Sequence, residues 1–376
     1  MNEKLLPGED VLAPAYRVRV ALATVFFAAA LFAASPASAQ AQQTFGDWTA
    51  GCDNVRGCRA VGLPSGPFGY GRIVFDRSGE ATAPARFRIV LDFESKAKQL
   101  PVQLSFDETG FERLFPGEIV ATGGEGRFEL ALPASAVADF VAALRKASVL
   151  TVRQAQKPSD PQQAETRISL KGSVAALRWI DDQQKRAGGV TAMVARGPAP
   201  ASAVPRTPPV PVLPKPGFKA QALPGEMPPA VFEAWKEACD EWDDAIKRSK
   251  PKGYRIAPDA ALWEAPCSSG AYNFSSNFFL FAGGKASLLK FMQWSDGKTP
   301  TEAGFRRNAE ELVNAEFVES DSSIVFFSKG RGISDCGSSG SYAWDGVQFR
   351  LKRYDMMGEC RGALAEDWFT LWRSVP

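Results

Sequence analysis

Between Phe45 and Leu170 the apolar residues come in short runs that alternate with polar positions, the period of strands whose two faces differ. The runs predict strands over Phe45–Gly51, Arg59–Leu63, Arg72–Phe75, Arg86–Phe93, Val102–Phe106, Arg127–Leu132, Leu150–Arg153 and Arg167–Leu170. Asp76-Arg77-Ser78-Gly79 and Asp107-Glu108-Thr109-Gly110 read as turns, each ending in a glycine suited to a left-handed backbone. The period changes to that of a helix over Ser135–Lys146, where Val137, Phe140, Val141 and Leu144 share a face. It changes again over Val174–Arg186, with Ser173 as N-cap and Gly188-Gly189 as the stop. Strands at this spacing with covering helices predict an antiparallel sandwich or barrel.

The same reading continues after a break. Gly197–Gly217 holds eight prolines, at positions 198, 200, 205, 208, 209, 211, 214 and 216. Proline removes backbone donors and favours extended chain, so this stretch reads as a semi-rigid linker. Beyond it, Phe232, Trp235, Cys239, Trp242 and Ile246 form an apolar stripe on one predicted helix, about Pro229 to Ser249. Asp243–Lys247 and Asp244–Arg248 are its expected (i, i+4) pairs. Strands follow around Cys267 and over Phe278–Phe281, Leu288–Trp294, Ile324–Ser328, Ser341–Trp344 and Val347–Tyr354, with a helix expected over Glu302–Ala315. Asp345-Gly346 signals a two-residue hairpin. The fold class is therefore mainly β with some α. Two antiparallel β-rich domains, residues 44–196 and 218–376, are joined by the linker, residues 197–217.

The first 39 residues read differently. Arg17 and Arg19 precede a charge-free apolar run, Val20–Ala34, and Ala37-x-Ala39 suits a signal peptidase. Fifteen apolar residues are short of the ~20 that a spanning helix needs. Residues 1–39 are expected to be a signal peptide, with a periplasmic mature chain, free or held at the outer membrane. Six cysteines behind a leader argue for disulfides. Proximity favours Cys52–Cys58, Cys239–Cys267 and Cys336–Cys360, and no Cys-x-x-Cys redox pair is present.

Charge and chemistry narrow the function. A net charge of +2, from 44 basic and 42 acidic residues, makes no case for nucleic acid. Histidine is absent, which removes the Ser-His-Asp and Cys-His machineries and the usual zinc sites. Ser287–Lys290 and Ser295–Lys298 match Ser-x-x-Lys but lack the companion elements of serine–lysine acyl transferases. Asp240, Glu241, Asp243 and Asp244 read as the solvated face of their helix. No catalytic, cofactor-binding or metal residue is assigned. The loop Ser328–Asp345, with Arg331, Asp335 and Trp344, is the candidate ligand loop, and the cleft between domains is the other candidate surface.

Several blocks carry a family resemblance: Phe45-Gly46-Asp47-Trp48 with Cys52 and Cys58, the segment Ser169–Gly197, Ala271-Tyr272-Asn273, and Cys336-Gly337-Ser338-Ser339-Gly340. Trp344-Asp345-Gly346, Glu359-Cys360-Arg361-Gly362 and Trp368–Arg373 complete them. Together, over about Phe45 to Arg373, the chain resembles the "domain of unknown function 1176" family of exported proteobacterial proteins. Its opening Phe-Gly-Asp-Trp…Cys is also similar to invasion-associated locus B proteins, over the first domain only. The resemblance implies export and this chain layout, and assigns no site. The expected function is a non-enzymatic binding or structural module for an envelope protein, peptide or glycan. The alternative is a His-independent hydrolase or transferase using carboxylates, with Asp335 as candidate acid. An inter-domain pocket holding two or more carboxylates would favour that alternative. Peptide mapping of the unreduced mature protein is expected to show an N-terminus at Gln40 and the three proximal disulfides; a Cys52–Cys239 link would contradict the two-domain layout.

Overall fold

In the computed structural model the described residues are 42–64, 71–107, 109–110, 118–155, 165–239, 242–294 and 305–376. The expected signal peptide lies outside them, as do the Ser295–Lys298 motif and the acidic pair Asp240 and Glu241. The chain begins with β1 (Gln42–Phe45), β2 (Trp48–Cys52), β3 (Cys58–Gly62), β4 (Gly71–Arg77), β5 (Arg86–Leu91) and β6 (Gln99–Phe106). Next come β7 (Thr109–Gly110), β8 (Val120–Gly124), β9 (Arg127–Ala131), α1 (Val137–Leu144), β10 (Val149–Gln154), β11 (Glu165–Ser169) and α2 (Ser173–Gln183). All these strands join one antiparallel sheet, in the order β1-β2-β3-β4-β5-β9-β8-β6-β10-β11, with β7 beside β6. The sheet curls into a half-barrel, so that Thr166 and Ile168 of β11 come up against Gly71 of β4.

The central strands are apolar on both faces, which is why they read as nearly unbroken apolar runs. Ile73 and Phe75 of β4 and Ile89 and Leu91 of β5 point into the half-barrel, where Phe140, Leu144, Leu177 and Ile180 of α1 and α2 meet them. Their neighbours Val74 and Val90, with Val61 and Leu63, point the other way into a second core shared with the C-terminal residues. Alternation along one strand thus feeds two cores.

The C-terminal half contributes β12 (Gln221–Ala222), α3 (Pro229–Ala238), α4 (Asp244–Arg248), β13 (Lys252–Ala257), β14 (Ala260–Ser269), β15 (Phe274–Ala282) and β16 (Lys285–Leu288). Then follow β17 (Phe291–Trp294), β18 (Phe305–Ala309), β19 (Glu311–Val313), β20 (Glu316–Val318), β21 (Ser323–Lys329), β22 (Gly337–Trp344), β23 (Phe349–Met357) and β24 (Phe369–Arg373). One antiparallel sheet runs β12-β13-β14-β15-β16 with β19 against β15, and another runs β20-β21-β22-β23-β24; β17 and β18 form a pair. The proline-rich stretch lies against the protein: Val212 bridges Val375, and Val204 and Leu213 are buried.

Three local expectations are corrected. The single helix over 229–249 is two. α3 ends at Cys239, whose backbone is extended and whose sulfur is tied to Cys267, and Asp243 restarts the helix by accepting from Ala245 N and Ile246 N. Asp243 takes an N-cap because its short carboxylate satisfies orphan amides there. Asp244 pairs with Lys247 at 3.3 Å, one residue nearer than the expected spacing. The expected helix over Glu302–Ala315 is β18 and β19, whose partners β17 and β15 supply ladder bonds that override local preference. The hairpin at Asp345-Gly346 is a four-residue loop, because the Asp345 carboxylate accepts from Val347 N and Gln348 N. The three disulfides are Cys52–Cys58, Cys239–Cys267 and Cys336–Cys360.

A buried carboxylate ties the two halves together at the centre of their contact. Asp367, fully buried in the turn Ala365–Asp367 before β24, accepts from Arg72 Nε at 2.6 Å and Arg127 Nη2 at 3.1 Å; Arg88 Nη2 lies 2.8 Å away. All three arginines stand on the outer face of the half-barrel sheet. Burial opposes ionisation of Asp367, but Arg72, Arg127 and Arg88 outweigh it and hold the carboxyl below its usual value. Asp367→Asn leaves three arginines with a neutral partner and is expected to cost about 3–5 kcal/mol in urea unfolding. The native pKa is depressed. The ionic stabilisation is therefore complete above the unfolded value of about 3.9 and is lost as pH falls through the lower folded value. Acid titration of the wild type and variant should diverge least at the lowest pH.

Candidate functional site

The ligand loop expected from the sequence is held together by its own charges. Arg331 Nε donates to Asp335 Oδ1 at 2.6 Å, Arg331 Nη2 pairs with Oδ2, and Gly362 N donates to Oδ2 at 2.7 Å. Burial opposes Asp335 ionisation, but the bonds from Arg331 and Gly362 prevail and keep its carboxyl below the ordinary range. The Cys336–Cys360 disulfide closes the same corner. Trp344 is not part of it. It sits at the far end of β22, roughly 23 Å along the strand at about 3.3 Å per residue. Its ring is 2% exposed and packs on Phe349.

A cleft of about 310 Å³ opens where the two halves meet. On the N-terminal side it is lined by the turn after Cys52, the ends of β3 and β4, and the residues leading into β5. On the C-terminal side it is lined by β23 and β24. The Cys52–Cys58 disulfide fixes the turn. There Asp53 Oδ1 accepts from Val55 N at 2.9 Å and Gly57 N at 2.7 Å. Asn54 clasps the backbone of Arg373 from both sides, Nδ2 to its carbonyl and Oδ1 from its amide, each at 2.9 Å. A Cβ at Gly57 would stand 2.4 Å from Arg373 Nη2 and 2.8 Å from Asp53 Oδ2, so a larger residue here would push the Arg373–Asp53 pair aside.

Five arginines and two carboxylates are among the residues that line the cleft, but Asp355 neutralises Arg353 beside it and the Arg77 side chain projects from the opposite face of β4 to Asp76, so the spare positive charge facing the cleft is that of Arg86. Arg59 donates to Asp76 Oδ1 at 2.7 Å and to the carbonyls of Glu366 and Trp368 across the cleft, both at 2.9 Å. Arg373 pairs with Asp53. Arg353 grips Asp355 through two nitrogens and reaches the Thr370 hydroxyl at 3.0 Å.

The other two arginines have no carboxylate partner. Arg86 is exposed and makes no hydrogen bond or ion pair among the described residues. Arg77 is 8% exposed; Nε donates to Ala83 O at 3.0 Å and Nη1 to Thr191 O at 2.7 Å, and Nη2 donates to nothing among the described residues. Burial, with the nearby Arg186 charge adding to it, pulls the Arg77 guanidinium down to about 10, so it stays charged at neutral pH. Asp181 opposes this from a distance, its oxygens committed to the amides of Met193, Val194 and Ala195.

Both carboxylates of the cleft are engaged. Asp76 is shared by Arg59 and, at 3.7 Å, by Arg88. Asp53 is the unusual one: burial raises its carboxyl above the ordinary value, and neither Arg373 nor the turn amides reverse the shift. Among the described residues no three acidic or cysteine side chains converge as a metal site requires. Sequence reading named the inter-domain cleft but none of these arginines, because each stands on an ordinary strand or turn with no motif around it.

The family described as "Protein of unknown function (DUF1176)" matches residues 42–375. The chain is 30% identical over 367 residues to the "Uncharacterized protein YpfG" of Escherichia coli strain K12, covering 94% of this chain and 99% of that one. A solved structure, the invasion associated protein b from Bartonella henselae, aligns with 39% of this chain and 99% of its own at 18% identity and a TM-score of 0.27; it carries no inference for this chain. In an NMR titration, Asp53 is expected to ionise above the usual carboxylate range, and Arg373→Gln is expected to move it higher still. Ionisation at or below the usual value would contradict the burial argument.

Proposed function

The chain belongs to the family described as "Protein of unknown function (DUF1176)", and within it we propose a non-enzymatic envelope binding module whose contact surface is the arginine-lined cleft. Three disulfides support a site of action in an oxidising, extracytoplasmic compartment, with the periplasm as the proposed one. No helix among the described residues is long and apolar enough to cross a membrane. The proposed domains, 44–196 and 218–376, flank the cleft, and the linker, 197–217, connects them.

The observation that carries this reading is the charge imbalance. A concave site with positive charge in excess recruits and orients a partner before contact. Its two acids are already paired with arginines, as is Asp335 in the loop. That distribution suits holding a ligand better than transferring its protons.

The second reading is a His-independent hydrolase or transferase. It draws on Asp53, an acid with a raised pKa in a cleft that holds two carboxylates. The binding reading is preferred because Asp53 already accepts two turn amides and the Arg373 charge.

Photo-crosslinking side chains placed at Ser78 on the cleft rim, at Ile333 in the Arg331 loop and at Val347 in the 345–348 loop separate the surfaces in intact cells. All three positions are exposed. Adducts at Ser78 and none at Val347 are expected. Adducts at Ile333 alone would move the contact surface to the loop, and a clean Ser78 position would remove the proposal.

A further inference from the structure

A second groove, of about 400 Å³, shares no lining residue with the cleft. It lies between the exposed side of α1, with the turn leading into it, and the segment around Met193 and Arg196. We infer that this groove seats an acidic amphipathic helix of a partner protein, its apolar face on α1 and its carboxylates on Arg145 and Arg196. The inference goes beyond the cleft reading and stands without it. Residues at helical spacing from Ala134 to Arg145 form one side of the groove, so a single face of the helix is presented to it. Val141 and Met193 are more than nine-tenths buried and make an apolar floor, with half-buried Val137 beside them. Ala138 and Ala142 are exposed and short, which leaves space along α1 for the side-chain ridge of another helix.

The opposite wall is fixed before any partner arrives. Buried Asp181 accepts from the amides of Met193, Val194 and Ala195 at 2.8, 2.8 and 3.1 Å, and Arg145 Nη2 donates to Val194 O at 2.8 Å, tying α1 to the same segment. A preformed groove spares the cost of ordering on binding. Charge selects the occupant. Arg145 and Arg196 are exposed, their bonds go to the carbonyls of Val194 and Ala192, and neither forms an ion pair among the described residues. No acid lines the groove, so two positive charges border an apolar floor in a chain whose total is +2. No strand lines it either, so an extended segment would leave its amides unpaired on that floor, whereas a helix satisfies its own. From Ala134 to Arg145 the face is about 16 Å long at 1.5 Å per residue, about three turns of a partner. Acids favour a helix N-terminus, and Arg145 closes the C-terminal end of α1, so the partner runs antiparallel with its first turn on the arginines. A second copy bound through the same groove would gather four arginines without an acid between them.

The test uses the whole mature, oxidised protein. Its probe is a synthetic helical peptide with leucines along one face and glutamates in the first turn. A peptide with lysine for each glutamate and a scrambled peptide of the same composition are the controls. Binding is read by fluorescence anisotropy and by backbone amide signals in NMR. The acidic peptide is expected to bind saturably, to weaken as salt is added, and to move the Ala138 and Ala142 signals; the controls are expected to do none of this. Arg145→Gln and Arg196→Gln are each expected to weaken binding roughly tenfold, as loss of one charge-assisted bond should. Ala138→Trp fills the groove from an exposed position, and is expected to keep the melting temperature and abolish binding.

An acidic peptide that binds no better than either control, or equally well to Ala138→Trp, overturns the inference. A photo-crosslinking side chain at Ala142, also exposed, identifies the occupant in intact cells. An adduct whose crosslinked peptide maps to an acidic helical segment of another protein supports the assignment. An adduct of twice the chain mass, one that maps to a basic or extended segment, or no adduct at all overturns it. These outcomes are separate from the Ser78 adducts, because the groove and the cleft share no residue: either proposal can fall while the other stands.

Discussion

A buried carboxylate from one end of the chain, Asp367, is the interaction on which the assembled structure depends. It enters a face that would otherwise repel itself, since Arg72, Arg88 and Arg127 stand on adjoining strands of one sheet. Asp92 and Glu129 at the margin share the remaining charge of Arg72, Arg88 and Arg127. With Asp367 in place the three arginines have a buried counter-charge, though Arg72 Nη2 and Arg127 Nη1 keep no hydrogen-bond partner, and Val74 and Val90 beside them close onto the C-terminal core. Apolar burial supplies most of the attraction between the halves, but the charges decide where they meet.

The cleft follows from that clasp. Asn54 and Asp53 hold Arg373, Arg59 reaches the carbonyls on either side of Asp367, and Arg361 ties Pro64 O and Asp47 from the opposite edge. Gly51 lets β24 come close, because a Cβ there would sit 2.7 Å from Phe369. Between these contacts a hollow is left whose walls belong to both halves. Its spare charge, Arg86, stands on the N-terminal wall.

Much of the β framework was legible in the sequence. Strands β2 to β5 could be located from their apolar runs, and each cysteine pairs with its nearest predicted partner. The failures have local causes. Residues 305–313 carry enough charge to imitate a solvated helix, and only their partners β15 and β17 make them strands. The stripe from Phe232 to Ile246 keeps helical spacing across a break that the Cys267 disulfide and the Asp243 cap impose. The cleft could not be read from local pattern at all, because it is made by residues such as Asn54 and Arg373 that stand 319 positions apart. The Asp335 loop was visible through its glycines and its disulfide, and its charges turned out to bind each other.

Native-state hydrogen exchange of the Asp367→Asn protein tests most directly whether this carboxylate joins the halves. Strands β4, residues 71–77, and β24, residues 369–373, belong to different sheets and exchange reports on each separately. The expected result is that both lose protection by a similar factor, since each is held through the same buried charge. Loss confined to β24, with β4 protected as in the wild type, would contradict the claim and leave Asp367 as a local support of its own turn.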